Sequence, residues 1–220
     1  MNDRAIGRAA FLGLLGAGVA GLFYGRDVTG LLGRIVPDGV TSLVPSSGWR
    51  IYTVASEMPD LDPATYRLRI DGLVERPVTY TLDDLRSLPR AEQVSDFHCV
   101  TGWSVRDVHW AGVRFEHLLA EAKPLPGAFW YRFVSAEVPY DDILSFEQVF
   151  LPDVMLAYEM DGKPLARAHG APVRVVMPRM YGYKYVKWVD RIDVRREFRP
   201  GFWEQRGYDS DAWVGGSNGR

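Results

Sequence analysis

Cysteine is almost absent from this chain: Cys99 is the only one in 220 residues. A lone thiol excludes an internal disulfide, a Cys-x-x-Cys redox pair, a cysteine-rich zinc site, a c-type haem motif and a protein-held iron–sulfur cluster. One-signed charge is missing too. The 26 Lys and Arg nearly balance the 28 Asp and Glu, giving a formal net charge of -2. These charges are interleaved rather than gathered into a basic stripe, which argues against a nucleic-acid partner. No Gly-rich turn joins a strand to a helix, so dinucleotide-fold and P-loop readings fail.

What remains is a chain able to bury a core. Hydrophobic residues make up 47% and charged residues 25%, enough for one large domain or two small ones. The 7 Trp and 11 Tyr often neighbour Gly or Pro instead of repeating at helical spacing, which favours a β-rich fold with structured loops.

The first 26 residues read as an address. An uncharged run, Ala9 to Tyr24, lies between Arg4 and Arg8 on one side and Arg26 on the other. As an N-terminal hydrophobic helix it reaches about 24 Å, slightly less than the roughly 30 Å of bilayer hydrocarbon. It fits an export signal or a short membrane anchor. No Ala-x-Ala cleavage site follows, which favours the anchor. The leading arginines keep the N-terminus cytoplasmic and send the rest to the outer face of the membrane, in the cell envelope. Arg8-Ala9-Ala10-Phe11-Leu12 resembles the core of a twin-arginine export signal, with Ala9 where the second arginine stands. Residues 27–48, rich in Gly, Pro and Ser, read as a tether.

Local patterns then predict α+β structure with mixed sheets and short helices. Tyr66 to Ile70 alternates like a strand and runs into the turn signal Asp71-Gly72. Thr81-Leu82-Asp83-Asp84 has capping-box spacing and opens a short helix that Pro89 stops. A strand approaches Cys99, and residues 115–122 have the spacing of one amphipathic helix. Strands follow at 130–134, 154–159 (into Asp161-Gly162), 173–177 and 189–194.

Three segments carry the chemistry. In Phe97-His98-Cys99-Val100-Thr101-Gly102-Trp103 the thiol sits in a loop where backbone can approach a ligand closely. A lone thiolate complements a metal that brings other sulfurs with it, although from composition alone the residue reads more readily as a buried, inert cysteine. In His169-Gly170-Ala171-Pro172-Val173-Arg174, alternation puts Arg174 on the face opposite Val173 and Val175, and Arg and His donors beside a glycine suit a phosphate. A salt-bridged surface arginine fits that pattern equally. The third segment, Tyr181 to Trp188, holds Lys184 and Lys187 among aromatics, where they could grip an anion. His98, His109 and His117 read as packing or surface residues, and Asp83-Asp84 and Asp141-Asp142 as capping and turn residues.

Together with Asp60 to Leu68 and Leu156-Ala157-Tyr158-Glu159-Met160-Asp161-Gly162, these segments resemble the molybdopterin-binding domain of the sulfite oxidase family. That family includes the catalytic subunit of the periplasmic methionine sulfoxide reductase. The likeness covers roughly residues 49–195 and implies a catalytic domain over 49–200, followed by a C-terminal tail over 201–220. It implies one molybdenum–molybdopterin per chain, with Cys99 the protein ligand to the metal. It also implies that His169, Arg174 and Lys187 hold the pterin and its phosphate, with backbone contacts near Tyr185 and Val186. Tyr52, Thr53 and Ser135 fall near other cofactor contacts, and Tyr140 matches the tyrosine that faces substrate in sulfite-oxidising members.

Two departures direct the functional expectation. Sulfite-oxidising relatives carry an arginine five residues after the ligand cysteine and another in the N-terminal segment, where this chain has Ser104 and Thr53. Losing two cations weakens a dianion site. A rim of Trp103, Trp110 and Tyr140 suits a neutral S-oxide such as methionine sulfoxide. The expectation is therefore an S-oxide reductase, with a sulfite dehydrogenase feeding a cytochrome as the alternative. A non-catalytic envelope module that has lost the cofactor is the alternative from another class. The family's C-terminal dimerisation domain and any haem domain are not recognisable. That implies a monomer or a subunit of a larger complex, no haem or iron–sulfur cluster in this chain, and electrons from a separate carrier, a membrane haem protein or cytochrome.

Overall fold

A computed structural model describes residues 48–216. The N-terminal hydrophobic segment and nearly all of the tether lie outside the described residues. Among the described residues no helix is long and apolar enough to cross a membrane.

The fold rests on two five-stranded sheets, with short helices interspersed among the strands along the chain. The first sheet takes β1 (Leu68–Gly72), β2 (Val78–Tyr80), β5 (Trp130–Ser135), β6 (Asp141–Ser145) and β10 (Val189–Arg195), in the order β2-β1-β10-β5-β6. It is mixed, as expected: β1 runs parallel to β10 and the other pairs are antiparallel. The second sheet orders β3 (Arg90–His98), β4 (Ser104–Arg114), β7 (Met155–Met160) and β8 (Lys163–Pro164), and β9 (Arg174–Val176) adds to β7. The helices are α1 (Leu82–Ser87), α2 (Phe115–Leu118) and α3 (Phe146–Val149).

Local chemistry explains most boundaries. Thr81 caps α1 by accepting from the Asp84 backbone N–H while the Asp84 carboxylate accepts from Thr81, so aspartate closes the capping box. The β7–β8 turn falls at Asp161-Gly162, both with positive φ. Elsewhere the structure departs from the pattern. Asp71-Gly72 is not a turn but the end of β1, paired with Asp193 and Val194. There the Asp71 carboxylate is buried, accepts from Arg191 and forms an ion pair with Arg69. The helix at 115–122 stops after four residues. Ala120 N–H returns to the His117 carbonyl at 3.4 Å, so the chain tightens and still buries Leu119 and Ala122.

One hydrophobic cluster takes side chains from both sheets: Ile70, Phe133 and Ile192 from the first, Val113, Leu156 and Val175 from the second. Phe115 and Phe133 meet edge to face with centroids 5.4 Å apart. Each such side chain contributes about 1.5–3 kcal/mol by leaving water. This packing fixes the loops 99–103, 136–140, 167–173 and 181–188, in which Cys99, Tyr140, His169, Tyr185, Val186 and Lys187 lie.

Candidate functional site

Cys99 occupies the tip of the β3–β4 hairpin. Its N–H donates to the Trp103 carbonyl at 2.8 Å, and Gly102 N–H donates to the Cys99 carbonyl at 3.0 Å. Gly102 has φ +90, a conformation a side chain disfavours, so glycine lets the loop close in five residues. The thiol is half-buried, with Sγ 3.2 Å from Thr101 Oγ1, and it lines a cavity of about 470 Å³. That size falls within the range of small-molecule and cofactor sites.

Arg174 lines the same cavity and is 3% exposed. Strand alternation pointed it away from the core, yet β9 is buried on both faces. On one edge β9 pairs with β7. On the other it meets the 186–187 loop, where Val175 N–H donates to Val186 O and Arg174 bridges to Lys187. The guanidinium donates to the His169 carbonyl at 3.1 Å and the Tyr185 carbonyl at 3.5 Å, and its Nε is buried without a partner. Its carbon lies 5.2 Å from the Trp110 ring centroid and 5.6 Å from that of Tyr185. Burial lowers its pKa to about 10. A buried cation among rings and carbonyls is costly unless an anion completes it.

His169 ends the 3-10 turn Arg167–His169, its ring edge-on to Trp49 with centroids 4.9 Å apart and its Nδ1 buried without a partner. Burial first, then Arg174 and Lys187, lower its pKa to about 4. The imidazole is thus neutral near pH 7, with one ring nitrogen free to meet a ligand. Below about 6.5 the unfolded chain binds a proton that the folded chain refuses, so stability is full above that pH and falls as pH drops toward 4. Because the ring is only half enclosed, screening trims the effect. Urea titrations of the cofactor-free protein should show about 1–2 kcal/mol of acid loss that His169→Gln lacks.

Lys187 also lines the cavity. Its ammonium donates to the Tyr52 carbonyl at 2.8 Å and stands 4.0 Å from the Trp188 ring centroid; burial, then Arg174, lower its pKa to about 8. Gly170 backs it. At φ +99, a Cβ there would fall 2.8 Å from Lys187 Cβ. Gly170→Ala should therefore cost about 1–3 kcal/mol in thermal or urea unfolding, through strain and overpacking together.

The remaining expected residues divide. Tyr52 and Thr53 line the cavity on an exposed segment. Tyr185 lines it from beneath, 2% exposed, its hydroxyl without a partner and held well above the usual range by burial. Tyr140 lines it as well. Its hydroxyl donates to the Tyr183 carbonyl at 2.5 Å, and burial together with Asp142 raises its pKa well above normal. Ser135 and Val186 are not among the lining residues. The Ser135 hydroxyl donates to the Lys187 carbonyl at 2.7 Å, holding that loop from behind, and Val186 is fully buried.

Three sequence expectations are corrected. Trp110 is 1% exposed and packs under Arg174 instead of forming a rim. Lys184 does not face the anion site. It is fully buried and bridges Asp142 at 2.7 Å and Glu204, because the 3-10 turn Gly182–Lys184 rotates it inward. Asp142 is accordingly no turn residue but part of that buried cluster, and Asp141 pairs with Arg132.

Sequence reasoning missed several lining residues. Trp49 packs on Phe97 and His169. The Glu137 carboxylate, 3% exposed, accepts from Val54 N–H at 2.6 Å and Ala55 N–H at 3.2 Å, fastening the 50–55 segment to the cavity. Residues 201–208, which read as tail, contribute Phe202, Trp203, Arg206 and Tyr208 to the lining.

The donor set defines a class. Among the described residues no three His, Cys, Asp or Glu gather to hold a metal, so a metal at Cys99 has to arrive with its other ligands. Arg174 with its unpartnered Nε, the neutral His169 and Lys187 supply cation and hydrogen-bond donors for an anionic organic group, which fits a phosphate-bearing metal–pterin. The comparisons agree: residues 55–203 match the oxidoreductase molybdopterin binding domain model, and the chain belongs to that family of enzymes. It is 36% identical over 154 residues to the uncharacterized oxidoreductase YuiH of Bacillus subtilis, covering 69% of this chain and 77% of that protein. It is 32% identical over 147 residues to the protein-methionine-sulfoxide reductase catalytic subunit MsrP of Ralstonia nicotianae, covering 60% of this chain and 44% of that one. Among solved structures, the sulfane dehydrogenase SoxCD from Paracoccus pantotrophus superposes with TM-score 0.61 at 30% identity, over 64% of this chain and 41% of that one. The chain thus spans less than half the length of the latter two.

Proposed function

We propose that this chain reduces an S-oxide that is uncharged at its reacting end, methionine sulfoxide-like, at a molybdenum–molybdopterin held through Cys99. Electrons come from a separate carrier, a membrane haem protein or cytochrome, at the outer face of the cytoplasmic membrane. The bound cofactor supplies the two-electron oxygen-atom exchange. The chain's residues do the rest. Cys99 gives one thiolate from a rigid hairpin tip, Arg174 and Lys187 offer charge to the phosphate end, and neutral His169 offers a ring nitrogen. Tyr140, its proton committed to the Tyr183 carbonyl, shapes the wall. The net change is sulfoxide plus two electrons and two protons to sulfide plus water.

The observation that carries the substrate choice is local to Cys99. Ser104, five residues on, turns its hydroxyl to His98 Nδ1 at 2.8 Å, and neither Ser104 nor Arg106 lines the cavity, while Thr53 lines it uncharged. The lining residues nearest Cys99 in sequence are instead Phe97, Val100, Thr101 and Trp103, uncharged side chains that favour a substrate without net charge at its reacting end. The Ralstonia relative, a protein-methionine-sulfoxide reductase catalytic subunit, is in keeping with this choice. A sulfite dehydrogenase is the second reading, favoured by the exposed cations Arg50 and Arg206 that also line the cavity.

Full-length protein from a molybdenum-competent host tests both. One molybdenum and one pterin per chain, with turnover of S-oxides and little of sulfite, is the expected result. Efficient sulfite oxidation without S-oxide reduction would replace the first reading by the second.

A further inference from the structure

Segment 201–208 forms a wall of the cavity, and it is mounted firmly. Phe202 N–H donates to the Asp141 carbonyl at 3.0 Å, and Tyr181 N–H to the Ala212 carbonyl at 2.8 Å. The Tyr183 hydroxyl donates to the Asp209 carbonyl at 2.7 Å, and the Glu204 carboxylate shares the buried Lys184 ammonium with Asp142. Apart from Asp209 and Ala212, every attachment point lies within two residues of Tyr140, Tyr183 or Trp203, all lining residues. The wall therefore keeps its position relative to the rest of the cavity.

Arg206 stands on that wall. Its guanidinium carbon lies 3.6 Å from the Phe202 ring centroid, and Nη1 donates to the Phe202 carbonyl at 2.6 Å. These contacts orient the guanidinium plane yet use only part of its donor set, and among the described residues no carboxylate pairs with it. An oriented fork with unused donors, beside the apolar faces of Phe202, Trp203 and Tyr208, matches a ligand with an aliphatic body and a planar anion at one end. The uncharged surroundings of Cys99 suit the other end.

We propose that Arg206 is a specificity-determining residue that binds the carboxylate of an S-oxide substrate, at the end remote from the reacting sulfur. The proposal rests on the S-oxide reading above. It implies selection for small molecules or chain termini that carry a free carboxylate over internal, amide-capped groups.

The test titrates full-length protein with N-acetylmethionine sulfoxide and with its carboxamide by calorimetry, then measures turnover of both. The wild type should bind the carboxylate roughly tenfold tighter, the size of a partly screened charge-assisted fork. Arg206→Gln should erase the preference by raising Kd and KM for the carboxylate alone, with kcat little changed. Arg206→Lys, which keeps charge but not the fork, should fall between. Equal affinities in the wild type, a preference that survives Arg206→Gln, or no binding of either probe would overturn the proposal. If both probes are reduced without discrimination, the S-oxide reading stands and the role of Arg206 falls. If binding discriminates and Arg206→Gln abolishes it, yet neither probe is turned over, the carboxylate site stands and S-oxide reduction falls.

Discussion

Replacing Cys99 with serine should lower S-oxide turnover by at least about 10³-fold, the scale on which removal of a group at a reacting centre acts. The substitution is nearly isosteric, and the hairpin that presents residue 99 is closed by backbone hydrogen bonds to Trp103 and from Gly102, none of which needs the sulfur. The fold should therefore survive within about 0.5 kcal/mol, as for ordinary changes at half-exposed positions. What changes is chemistry: a hydroxyl is a harder and far less acidic ligand than a thiol, and a poor substitute beside a metal that prefers sulfur. Pterin should be retained in part, because Arg174, His169 and Lys187 are untouched, while the metal's spectroscopic signature shifts. Full turnover in a correctly folded Cys99→Ser protein would refute direct ligation, and with it the Cys99-based chemistry proposed here.

The placement of the candidate site residues was legible in the sequence where local chemistry alone fixed it. Cys99 needed only a strand before it and a glycine after it, and the structure supplies both. The strands at 130–135 and 189–195 announced themselves by composition. Failures came where tertiary contacts overrode local pattern. Arg174 sits in a strand covered on both faces, so alternation between an inner and an outer side had nothing to report. Lys184 and Lys187 look alike in sequence, but a 3-10 turn and one bridge to β9 send the first into the core and the second to the cavity. The segment after Gly201 was masked by its polar, glycine-rich neighbourhood. Its one available signal was the cluster of Phe202, Trp203 and Tyr208, aromatics that a solvated tail has little reason to carry.

The buried cluster of Lys184, Asp142 and Glu204 should be the most sensitive stability element of the cavity. All three side chains are at most 3% exposed, and Asp142 Oδ2 and Glu204 Oε2 have no partner. Burial raises the Asp142 pKa to about 8 despite the adjacent ammonium. Lys184→Met removes the cation bonded to both buried carboxyl groups and should cost about 3–5 kcal/mol, the usual penalty for orphaning a buried charge. Its sign with pH is fixed by the same physics. Without the ammonium, which holds the value down, burial keeps the Asp142 carboxyl further above its unfolded pKa, so the folded state holds a proton that the unfolded state has released. Stability of the variant is then highest in acid and falls as pH rises toward that raised value. The loss relative to wild type should thus be larger at pH 8 than at pH 5. Adding Asp142→Asn and Glu204→Gln to Lys184→Met should restore most of it, since no charge is then left buried. Urea unfolding at the two pH values measures each term, and a Lys184→Met penalty independent of pH would show that packing, not charge, sets it. Because Glu204 neighbours Trp203 and leads to Arg206, the same variant should also loosen the cavity wall and raise KM for S-oxide before it touches the chemistry at Cys99.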